Sequence, residues 1–280
     1  MDALWIIIIA SLVSLNGSLI GSFLVLRKST MMGDAISHAV LPGIVISYLI
    51  SNSLSSLPVI LGATTTGIIA IFLIGFINKT VKLQIDASIG IVFTFLFALG
   101  IILISLFTQK ADLDQECVLY GEILYVPLNL WVTKSGLILG PKSFYVLVAI
   151  FILNVIFISL CYKQLYITSF DEDFAKTVGI KSIFWNYALL ISTALTTVAS
   201  FESVGTVLVI SFLAVPAASA YLLCKGLKSM ILLSSIFGII IAIGGHFFAL
   251  KFNGPMAGYM STVSGGIFLI CFILRKILET

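Results

Sequence analysis

The sequence predicts an all-α fold, a polytopic transmembrane helical bundle of eight or nine spans with its N-terminus outside and its C-terminus inside. Three observations carry this. Sixty per cent of the 280 residues are hydrophobic and only ten per cent are charged, against about 25% charged in a soluble globular domain. Mean hydropathy is +1.21. The apolar runs are continuous over about 20 residues, the length of a membrane-crossing helix, rather than alternating at period two as in a membrane barrel.

In chain order the apolar segments fall at residues 3–26, 35–50, 58–77, 87–107, 143–162, 183–200, 204–223, 230–250 and 258–274. The first is too long for the apolar core of a leader peptide and follows Asp2 rather than a basic stretch, so it reads as a span. The second is short. A count of eight results if one segment is re-entrant or two share a broken helix. Gly62–Gly67, Ala214–Ala220 and Gly258–Gly266 are small-residue patterns suited to close helix packing.

Lysine and arginine set the orientation. With the N-terminus outside, the inner loops hold Arg27, Lys28, Lys79, Lys82, Lys163, Lys176, Lys181, Lys225, Lys228, Arg275 and Lys276, and the outer loops hold Lys110, Lys134, Lys142 and Lys251. The opposite orientation inverts that bias.

Several classes of function are excluded or poorly supported. No basic cluster with interleaved aromatics suggests nucleic-acid binding. There is no G-x-x-x-x-G-K-[ST] phosphate loop, no H-E-x-x-H pair and no G-x-S-x-G elbow, so neither ATP hydrolysis by that route nor an intramembrane hydrolase is indicated. Cys117, Cys161, Cys224 and Cys271 are scattered without a C-x-x-C pair and read as small packing residues.

One stretch carries chemistry: Gly33-Asp34-Ala35-Ile36-Ser37-His38-Ala39-Val40-Leu41-Pro42-Gly43. Asp34 and His38 are four residues apart and share a helix face. Ionisable groups within membrane-grade hydrophobe are costly, and function is their default reading. A carboxylate oxygen with an imidazole nitrogen is a partial shell for a divalent transition metal. The alternative is a helix-start carboxylate and a histidine bonded to a neighbouring helix. Pro42 and Gly43 loosen the helix one turn beyond the histidine, a device recurring near transported ions.

Glu202, between the sixth and seventh segments, is a candidate ligand or gate, or a solvated loop acid. His246, after Gly244-Gly245 in the eighth segment, is a candidate ligand, or a packed or interfacial histidine. The two are conceivable partners at the outer mouth, and Asp34 lies nearer the inner face. Asp112, Asp114, Glu116 and Glu122 give the 108–142 outer loop an acidic character that concentrates cations. On the inner side, Ser169-Phe170-Asp171-Glu172-Asp173-Phe174-Ala175-Lys176-Thr177-Val178-Gly179 predicts a short amphipathic helix at about 169–180, with Ser169 as N-cap, acids in the first turn and Gly179 ending it. Such a helix is a connector or a surface that another subunit grips.

The 33–43 stretch resembles the signature of the zinc/manganese/iron family of ABC permeases, and the resemblance covers essentially the whole chain. Residues 170–179 are similar to that family's cytoplasmic coupling region. Val204-Gly205-Thr206-Val207-Leu208-Val209 through Pro216-Ala217-Ala218-Ser219-Ala220 is similar to one of its late helices. The 112–122 stretch and Ser200-Phe201-Glu202-Ser203-Val204-Gly205 resemble the manganese/iron branch more closely than the zinc branch.

The resemblance implies a non-catalytic permease subunit of an importer in the bacterial inner membrane, moving Mn2+, or Fe2+ or Zn2+, by alternating access. It implies cytoplasmic ATPase subunits, a second permease subunit, identical or not, and an extracytoplasmic metal-binding lipoprotein. Asp34 and His38 match motif positions expected to contact the ion. Phe170, Asp171, Glu172, Phe174, Ala175 and Gly179 match the ATPase-coupling region. No permanently bound cofactor is implied, and the resemblance assigns no ligand role to His246. Two other readings remain: a secondary metal/proton carrier using Asp34 and His38 as a relay, and a membrane scaffold in which both tolerate alanine. Because a histidine must be neutral to ligate, uptake is expected to fall on acidification through the ordinary histidine range, about 6.5.

Overall fold

The computed structural model of the chain describes residues 2–51, 56–107, 123–128, 130–132 and 138–278. The acidic residues Asp112, Asp114, Glu116 and Glu122 lie outside them, as does Cys117. The helices are α1 (Asp2–Leu26), α2 (Met31–Ala39), α3 (Leu41–Ser51), α4 (Ser56–Val81), α5 (Ile85–Phe107), α6 (Lys142–Leu160), α7 (Tyr162–Phe170), α8 (Glu172–Thr177), α9 (Ser182–Val204), α10 (Thr206–Leu223), α11 (Leu227–Phe252) and α12 (Met256–Leu278). A 3-10 turn (Ile123–Leu128) and an antiparallel hairpin, β1 (Leu130–Val132) with β2 (Ile138–Pro141), precede α6.

Among the described residues, nine candidate spans are long and apolar enough to cross a membrane, and α2 with α3 form one of them, Met31–Ser51. The break between those two lies at Val40, whose backbone stays helical at φ −77°, ψ −14°. Pro42 has no N–H to offer the His38 carbonyl, so the ladder is interrupted one turn after the histidine.

Helix α1 is the centre of the bundle. It packs against α6, α9, α10 and α11 and contributes to both large apolar cores. One core joins Phe23 and Leu24 to Ile36, Ile71, Ile74, Leu189 and Leu190. The other joins Ile9 and Val13 to Leu208, Phe212, Ile241 and Met260. Outward faces of α4, α5, α6, α11 and α12 carry exposed leucine, isoleucine and phenylalanine, as a lipid-facing surface requires.

Two boundaries differ from expectation. The amphipathic helix expected at about 169–180 starts later than Ser169, because α7 continues almost directly from α6 after Cys161 and runs to Phe170. Ser169 is therefore inside a helix, where its hydroxyl donates to the Leu165 carbonyl at 2.6 Å. Asp171 is the N-cap of α8 instead, its side chain accepting from the Phe174 N–H at 2.9 Å. Glu202 lies in the last turn of α9 rather than in a loop, since the helix runs on to Val204 and stops at Gly205, whose φ of +77° suits glycine.

Candidate metal site and coupling segment

Met32, Gly33, Ala35, Ile36, Ser37 and Ala39 form the buried face of α2, which packs on α4, α5, α9 and α10. Asp34 and His38 occupy the remaining face. His38 Nε2 and Asp34 Oδ1 are 3.5 Å apart, with the side chains 33% and 45% exposed respectively. That separation exceeds the usual N–H···O range of about 2.7–3.2 Å, so neither group is locked onto the other. Two donors each about 2.1–2.2 Å from one ion and 3.5 Å from each other subtend about 110° at it, an ordinary ligand–metal–ligand angle. His38 is held from behind by Phe93 and Phe97 of α5, each with its ring centroid 5.9 Å away. These two phenylalanines lie four residues apart, a spacing visible in the sequence, but nothing there paired them with the histidine.

The other candidates lie elsewhere. Asp34 is about 5 Å along its helix from the end that carries α8, whereas Glu202 and His246 are each about 28–30 Å along theirs at 1.5 Å per residue. Glu202 is exposed. His246 is buried, and its Nδ1 has no hydrogen-bond partner among the described residues. Among those residues no group of three or more His, Cys, Asp and Glu side chains could hold one ion. Asp34, His38, Glu202 and His246 therefore do not form a single shell.

The segment 170–179 projects from the same end as the start of α2. Ala175 is its buried anchor. Phe170, Phe174 and Val178 are 53%, 53% and 56% exposed, three apolar side chains open to the surroundings around the α7–α8 turn. Lys176 bridges Asp173 at 3.0 Å and Glu172 at 3.9 Å; its hydrogen bond to Asp173 and the two acidic charges raise its pKa. Gly179 closes the turn at φ +79°, with the Ile180 N–H returning to the Ala175 carbonyl at 2.9 Å. Glu172, Lys176, Gly179 and Phe184 also border a groove beside the segment.

One group at this end was not anticipated from the sequence. Arg27, the first residue after α1, reaches the end of α7: Nε donates to Ser169 Oγ at 2.9 Å and Nη2 to Thr168 Oγ1 at 2.8 Å. Nη1 donates to Asn186 Oδ1 of α9 at 3.2 Å. Burial lowers its pKa to about 10, opposed by the charge of Glu172. The available signal was a lone arginine at a helix end; its side-chain partners are more than 140 residues away.

A family profile described as the ABC 3 transport family matches residues 3–275. The chain is 44% identical over 269 residues to the manganese transport system membrane protein MntD of Bacillus subtilis, covering 96% of this chain and 90% of that one. It is 37% identical over 268 residues to the zinc transport system membrane protein TroD of Treponema pallidum, covering 96% and 72%. Among solved structures, PsaBC from Streptococcus pneumoniae in complex with Fab superposes with a TM-score of 0.78 at 35% identity, over 96% of this chain and 90% of that one.

Proposed function

The chain belongs to the ABC 3 transport family, and on that premise we propose how it works. It is the membrane permease of a metal-ion ABC transporter, and the ion it carries is Mn2+, as named for its 44%-identical relative, with Fe2+ and Zn2+ as competitors. It sits in the bacterial inner membrane with its N-terminus outside and C-terminus inside, the orientation favoured by its basic loops. Separate cytoplasmic ATPase subunits dock on residues 170–179. A binding lipoprotein delivers the ion to the outer mouth, and a second permease subunit completes the pathway.

The pair Asp34–His38 carries this reading. An anionic oxygen and an imidazole nitrogen lie 3.5 Å apart on the uncovered face of an interrupted helix. They supply two of the four to six donors a divalent transition metal takes. Their partial exposure is compatible with a second subunit adding the rest. Neutral His38 offers its nitrogen lone pair, and Asp34 offers charge that offsets desolvation of the ion. The exposed Phe170, Phe174 and Val178 support the docking role, because an apolar patch at the edge of a charged surface suits a protein partner.

The test is uptake of Mn2+, Fe2+ and Zn2+ by cells carrying the wild type, Asp34→Ala or His38→Ala, with an ATP-depletion control. Loss of one metal's uptake in both variants, on the order of 10–100-fold or more, with ATP dependence in the wild type, supports the proposal and identifies the ion. Undiminished uptake in both variants would overturn the site.

A further inference from the structure

The Arg27 contacts join two parts of the molecule that the proposed function requires to move together. On one side, Arg27 leads into Lys28, Ser29, Thr30 and then α2, so six residues separate it from Asp34. Four backbone hydrogen bonds brace that turn: Lys28 N–H to Val25 at 3.1 Å, Ser29 N–H to Leu24 at 2.9 Å, Met32 N–H to Ser29 at 3.1 Å and Gly33 N–H to Thr30 at 3.1 Å. On the other side, Ser169 is three residues from Glu172 and the start of α8.

The polarity of the joint is fixed. Ser169 Oγ donates to the Leu165 carbonyl at 2.6 Å, and Thr168 Oγ1 donates to the Gln164 carbonyl at 2.8 Å. Each hydroxyl proton is committed to backbone, so the lone pairs face Arg27 and the hydroxyls act towards it as acceptors. A planar guanidinium fork can serve both hydroxyls and Asn186 at once, whereas a lysine ammonium is a point donor. A cleft of about 440 Å³ opens alongside, lined by Arg27, Asn78, Ser169, Glu172 and Asn186. The cleft leaves space beside the end of α7.

We propose that Arg27 is a positioning residue for transport, a clamp that makes the ATPase-facing segment at α8 and the helix bearing Asp34 and His38 move as one body. The proposal rests on the function set out above. The clamp transmits displacement between the two regions; it does not touch the ion.

The experiment uses the full transporter, with its ATPase and binding protein, reconstituted in lipid vesicles with Mn2+ as the probe. ATP hydrolysis and Mn2+ uptake are measured in parallel for wild type, Arg27→Lys, Arg27→Gln and the double variant Thr168→Val with Ser169→Ala. The double variant removes the two hydroxyl acceptors on α7 and leaves Arg27 in place. The expected result is hydrolysis within about two-fold of wild type and Mn2+ moved per ATP reduced about ten-fold or more, in the range of typical inter-site couplings. Arg27→Lys should not rescue. An unchanged ratio in all three overturns the proposal. So does loss of the ATPase subunits from every purified variant, which would make the clamp an assembly element only. A wild type that moves no metal under ATP fails at the proposed function itself, a result distinct from either.

Discussion

Asn154 donates from Nδ2 to Asn16 Oδ1 at 3.0 Å, with both side chains fully buried in the transmembrane bundle. The second Asn154 proton goes to Thr196 Oγ1 at 2.8 Å, and its own carbonyl oxygen accepts from Ser192 Oγ at 2.9 Å. Asn16 sends its two protons to the Leu12 and Leu147 carbonyls at 3.0 and 3.3 Å. Every amide position of both residues is satisfied, and the network ties α1, α6 and α9 together. Fully satisfied polar networks fix one arrangement of packed helices.

Asn154→Ala should therefore lower stability by about 1–3 kcal/mol, the cost of leaving buried polar partners unmet. The measurement is the thermal midpoint of the purified permease in detergent. Asn154→Leu should fare no better, since Asn16, Thr196 and Ser192 would remain polar around an apolar side chain. An unchanged midpoint in both variants would show that the network holds nothing together.

Acidification should reduce metal uptake, because protons compete with a metal ion for its donor groups. The clamp should add nothing to that profile. Burial depresses the Arg27 pKa to about 10, so the charged form is disfavoured by folding. Below that value arginine is protonated in both folded and unfolded chains, and its contribution is independent of pH. Only above about 10 would the penalty ease. Lys176 is shifted upward by Asp173 and also stays charged. Uptake and ATP hydrolysis measured between about pH 5.5 and 8.5 test this. Uptake that falls while Mn2+ moved per ATP stays constant would place the titrating group on the ATPase instead.

The spans were legible because continuous apolar runs leave no other structure in lipid, and the shared face of Asp34 and His38 followed from a spacing of four. Pro42 announced the helix break through its missing N–H. What escaped was long-range. Asn16 and Asn154 each stand out in an apolar run, but their separation of 138 residues hides the pairing. Arg27 reads from the sequence only as an inside charge, because its acceptors, two hydroxyls and an amide oxygen, have no local signature. Ser169 has the right chemistry for an N-cap, yet the helix before it runs on, and Asp171 takes the role. The partial exposure of Asp34 and His38 is equally invisible in sequence, since it depends on which helices cover α2.

Gly43 faces α4 where the two backbones nearly touch. A Cβ there would meet the Thr66 hydroxyl oxygen and the carbonyl oxygen of Gly62. The carbonyl is backbone and cannot swing away. Gly43→Ala should cost about 1–3 kcal/mol, as overpacking typically does, and should push α3 from α4. Gly266→Ala is the control, because nothing lies within 4 Å of its added Cβ. In a helix interior that change should be neutral or stabilise by about 0.5–1 kcal/mol. Thermal midpoints of the two variants should move in opposite directions or differ by several degrees; equal shifts would mean that α3 and α4 have room to part.

Lys28 holds the turn between α1 and α2 with a φ of 54°, in the left-handed region that favours glycine. Its N–H returns to Val25 and that of Ser29 to Leu24, the paired bonds of a Schellman helix end. A non-glycine residue in this conformation costs about 1–2 kcal/mol. Lys28→Gly removes that strain but adds freedom to the unfolded chain, so a net gain of up to about 1 kcal/mol is expected. Lys28→Val should lose more than it gains, being branched at Cβ. If the turn keeps this conformation throughout transport, Lys28→Gly should raise the thermal midpoint and leave Mn2+ moved per ATP unchanged. A higher midpoint with a lower ratio would mean that the strain at Lys28 is released during the cycle, and that the turn beside Arg27 is a hinge rather than a rigid link.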